Sequence, residues 1–257
     1  MKILMIGDVI GKPGREAVHS ILPELRKQHG INLVIANGEN AAGGVGLTQA
    51  TAEEMLHSGV DILTTGNHVW RRKEVFSYLD SDAPVVRPLN YPPNVPGRGY
   101  LTIGSTLVIN VLGRTFIGNF DCPFRAIDNL LKTLAPKPKT IIVDFHAEAT
   151  SEKVALGWYL DGRVSAVLGT HTHVGTIDTR ILPKGTAYVT DVGMTGPMES
   201  VIGADIDGVL NSFLTMMPLN LSIGKGDIMF NSVLIELSDT SGLATSITRI
   251  DMELKEK

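Results

Sequence analysis

Five short apolar runs, each followed closely by a side chain with a nitrogen or oxygen lone pair, constrain this chain more than any other feature. Lys2 to Ile6 leads to Asp8, Leu33 to Ala36 leads to Glu39-Asn40, and Asp61 to Thr65 leads to Asn67-His68. Thr140 to Phe145 ends at His146, and Val164 to Leu168 runs into Gly169-Thr170-His171-Thr172-His173. Runs of this length rich in β-branched and aliphatic residues read as buried strands. In open α/β sheets ligands bind outside the carboxyl ends of the strands, so polar residues at those positions are placed for chemistry. Taken singly, each acid has the bland reading of a turn or helix cap, and each histidine that of a hydrogen-bonded loop residue.

Between the runs lie helix and turn signals. A helix starting at Pro13 or Gly14 carries Ala17, Val18, Ile21, Leu22 and Leu25 on one face and stops at Gly30, with Pro23 expected to kink or split it. Thr48 or Thr51 caps the next helix, Thr51 with Glu54 as a capping box, and Gly59 ends it. Val69 to Leu79 reads as helical; its Arg71, Arg72 and Lys73 form a solvated face or face an anionic substrate. Ala83 to Gly118, rich in proline and glycine, holds antiparallel strands. Helices follow at Pro123 to Leu134, from a Thr150 or Ser151 cap toward Leu160, and at Asp205 to Met217. Thr186 to Thr190 is a strand, and Asp227 to Leu237 with Ala244 to Glu253 forms a closing antiparallel pair. Gly7 to Gly14 is not a phosphate loop, because the G-x-x-x-x-G-K-[ST] spacing is absent. No repeat or boundary divides the chain, so one domain over residues 1–257 is expected.

Bulk properties narrow the class. A chain of 257 residues can bury a large core, and its 19% charged residues fall below the usual ~25%. A net charge of −4 gives no global basic surface, so bulk nucleic-acid binding is not expected. Cys122 is the single cysteine, which excludes an intrachain disulfide and fits a cytoplasmic location; it reads as an inert loop residue. No apolar stretch reaches membrane-spanning length or resembles a signal-peptide core.

The candidate site follows from the strand ends. Side chains two apart on an extended backbone point the same way, so His171 and His173 are expected to leave the last strand together. Two neutral imidazoles converging on a point suit a metal ion. Asp8, Glu39, Asn40, Asn67, His68, His146, His171 and His173 converging on one edge are too many for one ion and about right for two. A mixed carboxylate, amide and imidazole set without thiolate favours Mn²⁺, Fe or Zn²⁺. His19, His29 and His57 lie on helices without such partners. Met194, Met198, Met216 and Met217 form either a flexible apolar wall, an oligomer contact or core filling.

The motif order Gly7-Asp8, Glu39, Gly66-Asn67-His68, His146 and Gly169-x-His171-x-His173 resembles the calcineurin-like metallophosphoesterase superfamily. Gly7 to Arg15, Asn37 to Gly44, Thr65 to Trp70, Asp144 to Glu148, Gly169 to Val174 and Asp191 to Pro197 together resemble its YmdB-like branch, nearly end to end. Two departures from the wider superfamily are shared with that branch: Ile10 stands where a histidine is usual, and Glu39-Asn40 replaces the bridging aspartate. The resemblance implies a four-layer α/β/β/α sandwich of two mixed sheets flanked by helices. It implies one metal held by Asp8, Glu39, Asn40 and His173, and a second by Glu39, Asn67, His146 and His171. Two transition-metal ions, Fe or Mn with Zn as an alternative, would bridge a hydroxide that attacks phosphorus. His68 would protonate the leaving alkoxide, or else orient a ligand. Expected substrates are small phosphoesters, namely 2′,3′- or 3′,5′-cyclic nucleotides, and homo-oligomers are implied. The competing readings are a phosphomonoesterase on nucleotides or phosphoproteins, and a metal-bound regulatory or RNA-binding module without turnover.

Overall fold

The computed structural model describes residues 1–218 and 222–255. The first half runs β1 (Lys2–Ile6), β2 (Asp8–Val9), α1 (Gly11–His29), β3 (Leu33–Asn37), α2 (Gln49–His57) and β4 (Ile62–Thr64). A 3-10 turn (Val69–Arg71), α3 (Val75–Leu79), β5 (Val85–Val86), β6 (Tyr100–Ile103), β7 (Thr106–Leu112) and α4 (Pro123–Thr133) follow. Next come β8 (Thr140–His146), α5 (Thr150–Leu160), β9 (Ala166–Thr170), β10 (Arg180–Ile181), β11 (Ala187–Val189) and β12 (Met194–Ala204). The chain closes with α6 (Ile206–Thr215), β13 (Ile223–Phe230), β14 (Ser232–Leu237), β15 (Ala244–Arg249) and β16 (Met252–Leu254).

Two six-stranded mixed sheets form the centre, ordered β15-β14-β1-β3-β4-β5 and β10-β11-β9-β8-β7-β6. Strand alternation explains how they stack. In β1, Leu4 and Ile6 join the core under α1 and α2, while Ile3 and Met5 face the second sheet. In β8, Ile142 faces that same seam, whereas Ile141, Val143 and Phe145 pack with Ile127 of α4 and Leu156 of α5. Each central strand is therefore apolar on both faces, and the layers run α/β/β/α. Hydrophobic burial on both sides of each sheet, at ~25 cal/mol per Å², is the main force holding the stack.

Toward one end the seam changes chemistry. The inward rows continue from Ile35 to Asn37, Ile62 to Thr64, Val108 to Asn110, Ile142 to Asp144 and His146, and Leu168 to Thr170, all buried. Because β1, β3, β4 and β5 are parallel, as are β7, β8, β9 and β11, these polar tips share one edge.

A third sheet, β16-β13-β12-β2, was not legible in the sequence. The closing segments expected as one antiparallel pair divide between two sheets: β14 and β15 extend the first, β13 and β16 the third. The switch falls at Asn231, inside a stretch whose apolar character continues across it. Asp8 belongs to this third sheet, with Met194 opposite it on β12.

Several local expectations shift. α1 begins at Gly11 and passes unbroken through Pro23, which sits on the exposed face where the carbonyl freed by its ring meets water. It ends at Gly30 in the left-handed conformation, as expected (φ 63°). Thr48 caps α2 and Thr51, not Glu54, completes the box. Residues 69–79 are not one helix, because Arg72 turns back to donate to the carbonyls of Ala42 and Val45. α5 has Ala149 at its N-cap without a side-chain cap. Met198, Met216 and Met217 are exposed, which removes core filling as their role. Among the described residues no helix is long and apolar enough to cross a membrane.

Candidate metal centre

The polar end of the seam brings the sequence-selected residues together. Glu39, His146 and His171 present ligand-type atoms within 4.8 Å of one another. His146 Nε2 is the hub: Glu39 Oε1 lies at 3.1 Å, Asn67 Oδ1 at 3.1 Å and His171 Nδ1 at 3.0 Å. On the other side of Glu39, Asn40 Nδ2 lies 3.3 Å from Glu39 Oε1 and 3.2 Å from His173 Nε2, which is 3.7 Å from Asp8 Oδ1. The two groups share Glu39. Asp8 Oδ2 accepts from the His171 amide, but Asp8 Oδ1 is buried without a hydrogen-bond partner.

The histidines reach this point by a different route from the one expected. His171 and His173 have φ of 99° and 64°, so the chain turns after β9 instead of continuing extended. The turn takes the His171 ring to His146 and the His173 ring to Asp8 and Asn40.

Each imidazole has its second nitrogen occupied. His146 Nδ1 lies 2.9 Å from Thr170 Oγ1, which donates to Asp144 Oδ1 at 2.7 Å. His171 Nε2 faces Glu148 Oε2 at 3.1 Å, and His173 Nδ1 donates to the Ile202 carbonyl at 2.7 Å. An imidazole whose outer nitrogen donates in this way turns a lone pair inward, the arrangement seen around ligand histidines.

Three acceptor-type atoms around His146 Nε2 cannot all be satisfied by one proton. A cation would satisfy them together, and a second one beside His173 would supply the partner that Asp8 Oδ1 lacks. Gly66 leaves the space: a Cβ there would lie 2.2 Å from Glu39 Oε2 and 2.4 Å from His146 Nε2. The residues present therefore fit metal binding. Asn40 is the one candidate ligand turned the other way, since its Oδ1 accepts from His68 Nδ1 at 2.8 Å. A ligand role requires exchanging its oxygen and nitrogen.

The family model for YmdB-like proteins matches residues 4–250. The chain belongs to the YmdB-like family. It is 47% identical over 254 residues to the 2′,3′-cyclic-nucleotide 2′-phosphodiesterase of Bacillus subtilis, covering 97% of this chain and 96% of that one. A protein from Thermus thermophilus described as hypothetical has a crystal structure similar to this YmdB-like chain, with TM-score 0.93, 47% identity and coverage of 99% and 100%. A crystal structure described as a novel phosphatase from Mycoplasma pneumoniae matches with TM-score 0.93, 33% identity and coverage of 100% and 94%.

In this YmdB-like centre the neighbouring imidazoles favour ionisation of the buried carboxylates. Burial works against ionising Asp8, yet His173 and His146 nearby hold it well below the usual carboxylate range. Glu39 is lowered in the same way, against burial, by His146 and His68. Burial pulls His173 down, but Asp8 outweighs it and the ring is raised to about 9. His171 is lowered to about 4 by burial and the neighbouring His146. Burial also lowers His68, with Glu39 opposing. His146, too, is raised against burial, by Glu39 and Asp8.

Sequence reasoning missed the supports. Glu148 and Thr170 lay inside recognised motifs, but nothing in them marked an outer-nitrogen acceptor. Lys153 of α5 is 1% exposed and donates to Asp191 Oδ2 at 2.6 Å and to the Thr170 carbonyl at 2.8 Å. Asp191 also accepts from the amide and hydroxyl of Thr172, between the two histidines. A lysine on a helix carries no signal that it will be buried. Cys122 precedes α4 as a free thiol.

Proposed function

We propose that this chain is a metal-dependent phosphodiesterase hydrolysing cyclic nucleotides, 2′,3′- or 3′,5′-cyclic nucleoside monophosphates. The observation carrying this reading is the double cluster of lone pairs around Glu39, with His68 beside it and not within it. The name of the Bacillus relative supports the 2′,3′-cyclic class.

In this reading Asp8, Glu39, Asn40 and His173 hold one ion, and Glu39, Asn67, His146 and His171 the other, with Fe or Mn favoured over Zn. When bound, two such ions lower the pKa of a shared water and neutralise phosphoryl oxygens. Glu39 bridges the two halves from the end of β3. Thr170, Glu148 and the Ile202 carbonyl orient the three rings through their outer nitrogens. With the Asn40 amide exchanged so that its oxygen faces the ion, its Nδ2 donates to His68 Nδ1, and the His68 backbone N–H donates to Glu39 Oε2 at 3.1 Å. That leaves Nε2 as the nitrogen that hands a proton to the departing alkoxide. The reading also takes the chain as one domain acting in the cytoplasm, and the exposed Leu214, Met216 and Met217 as suited to contact between copies.

His68→Ala tests the assignment of the acid. Metal content should stay at the wild-type level, while turnover of esters with poor leaving groups falls by ~10²–10⁴. Esters of p-nitrophenol, whose leaving group needs little protonation, should lose much less. Equal turnover by variant and wild type on a poor leaving group would remove His68 from the mechanism.

A further inference from the structure

His173 belongs to two surfaces at once. One is the carboxylate cluster, and the other is the wall of an apolar cavity of about 370 Å³. Ile10, Val45, Ile202, Val209, Phe213 and Ile223 supply most of that wall. The volume lies within the ~300–1,000 Å³ range of small-molecule sites. Three larger clefts, about 570, 500 and 420 Å³, contain none of the centre's residues.

The wall is built by an irregularity in β12. A step of five residues, Glu199 to Ala204, faces a step of only two on β13, Lys225 to Ile223. Bulges of this kind re-aim side chains beside active sites. The loop is fixed by Ser200 Oγ, which donates to the Pro197 carbonyl at 2.6 Å and accepts from the Gly203 amide at 3.0 Å. Ile202, at φ 48°, holds a conformation that β-branched residues rarely adopt. In that conformation its carbonyl takes the His173 Nδ1 proton, while its side chain lines the cavity and is 53% exposed.

We propose that this cavity receives the base of the nucleotide substrate and holds it by apolar contact. The proposal rests on the phosphodiesterase reading for the substrate class. Its own support is the shared His173, which sets the cavity directly beside the place where a phosphoester would sit. The polar groups of the wall are already engaged: Ser222 Oγ donates to Asp205 Oδ2 at 3.1 Å, and His173 Nδ1 to Ile202. With these side-chain protons already engaged and the rest of the described lining side chains apolar, the cavity selects mainly by planar apolar area. Phe213, 75% exposed at the rim, offers a face for stacking. Purine and pyrimidine esters should both be accepted, purines with the lower KM.

The test uses Mn²⁺-loaded wild type, Phe213→Ala and Ile223→Asp. Phe213 is exposed, so its truncation leaves the fold intact even if the charge placed on the half-buried wall in Ile223→Asp does not. Substrates are 2′,3′-cyclic AMP and methyl ribofuranoside 2′,3′-cyclic phosphate, which lacks a base. Adenosine binding is titrated separately on the same proteins. Phe213→Ala should raise KM for cyclic AMP at least about fivefold, the scale of a lost base–aromatic stack, with kcat unchanged. The baseless ester should keep its kcat/KM, and adenosine binding should weaken in parallel. Equal losses on both esters, or an unchanged KM and adenosine affinity, would overturn the proposal. If wild type hydrolyses neither ester yet binds adenosine in a Phe213-dependent way, the cavity assignment stands and the phosphodiesterase reading falls.

Discussion

At Gly66 one methyl group decides whether the centre has room. The missing Cβ is what lets Glu39 Oε2 and His146 Nε2 approach the end of β4, at 2.2 and 2.4 Å from where that carbon would be. Gly66→Ala should therefore keep a native far-UV spectrum while metal content drops below one ion per chain. A variant that still binds metal like wild type would show that the space left at Gly66 is not what admits the ion. Ligand-type residues were legible at this scale because each follows an apolar run that must be buried, so its polarity needs an explanation. The residues that orient them were not. Glu148, Thr170 and the Ile202 carbonyl act through contacts between segments far apart in sequence, and a glycine at a strand end looks like any turn glycine.

Among elements, α5 does more than cover the second sheet. Lys153 ties it to the end of β9 and to Asp191, which in turn holds Thr172 between the two histidines. Both charges are buried, so removing one leaves the other without a partner. Lys153→Met should cost roughly 3–5 kcal/mol in denaturant unfolding, and Lys153→Met/Asp191→Asn should lose less than the sum of the single changes. A single-variant loss below about 1 kcal/mol would mean the pair is solvated. Element positions were read well where periodicity was strong, as in β8 and α4. They failed where a side chain competes for the backbone. Arg72 breaks the expected helix over 69–79 by reaching the loop at Ala42 and Val45, and positive φ at His171 and His173 replaces the expected strand extension. The antiparallel closing pair was legible, but its division between two sheets was not, since Asn231 gives no warning inside an apolar run.

For the whole molecule, two sheets sharing a seam create the site. The seam is aliphatic through Ile3, Ile35, Ile142 and Leu168, then polar through Asn37, Asp144, His146 and Thr170. Asn37 Nδ2 donates across it to Asp144 Oδ2 at 3.1 Å, so the sheets are joined by hydrogen bonds where the apolar contact ends. The third sheet adds Asp8 from β2 and the bulged wall of β12, which places the proposed ligands and the cavity on one continuous surface. The proposed chemistry depends on a dinuclear centre bridged by Glu39. The most direct test is elemental analysis of chain reconstituted with Mn²⁺ or Fe²⁺, alongside Glu39→Ala and His171→Ala. Two ions per chain are expected in wild type, one in His171→Ala and fewer than one in Glu39→Ala. No metal in wild type, or two ions retained without Glu39, would contradict it.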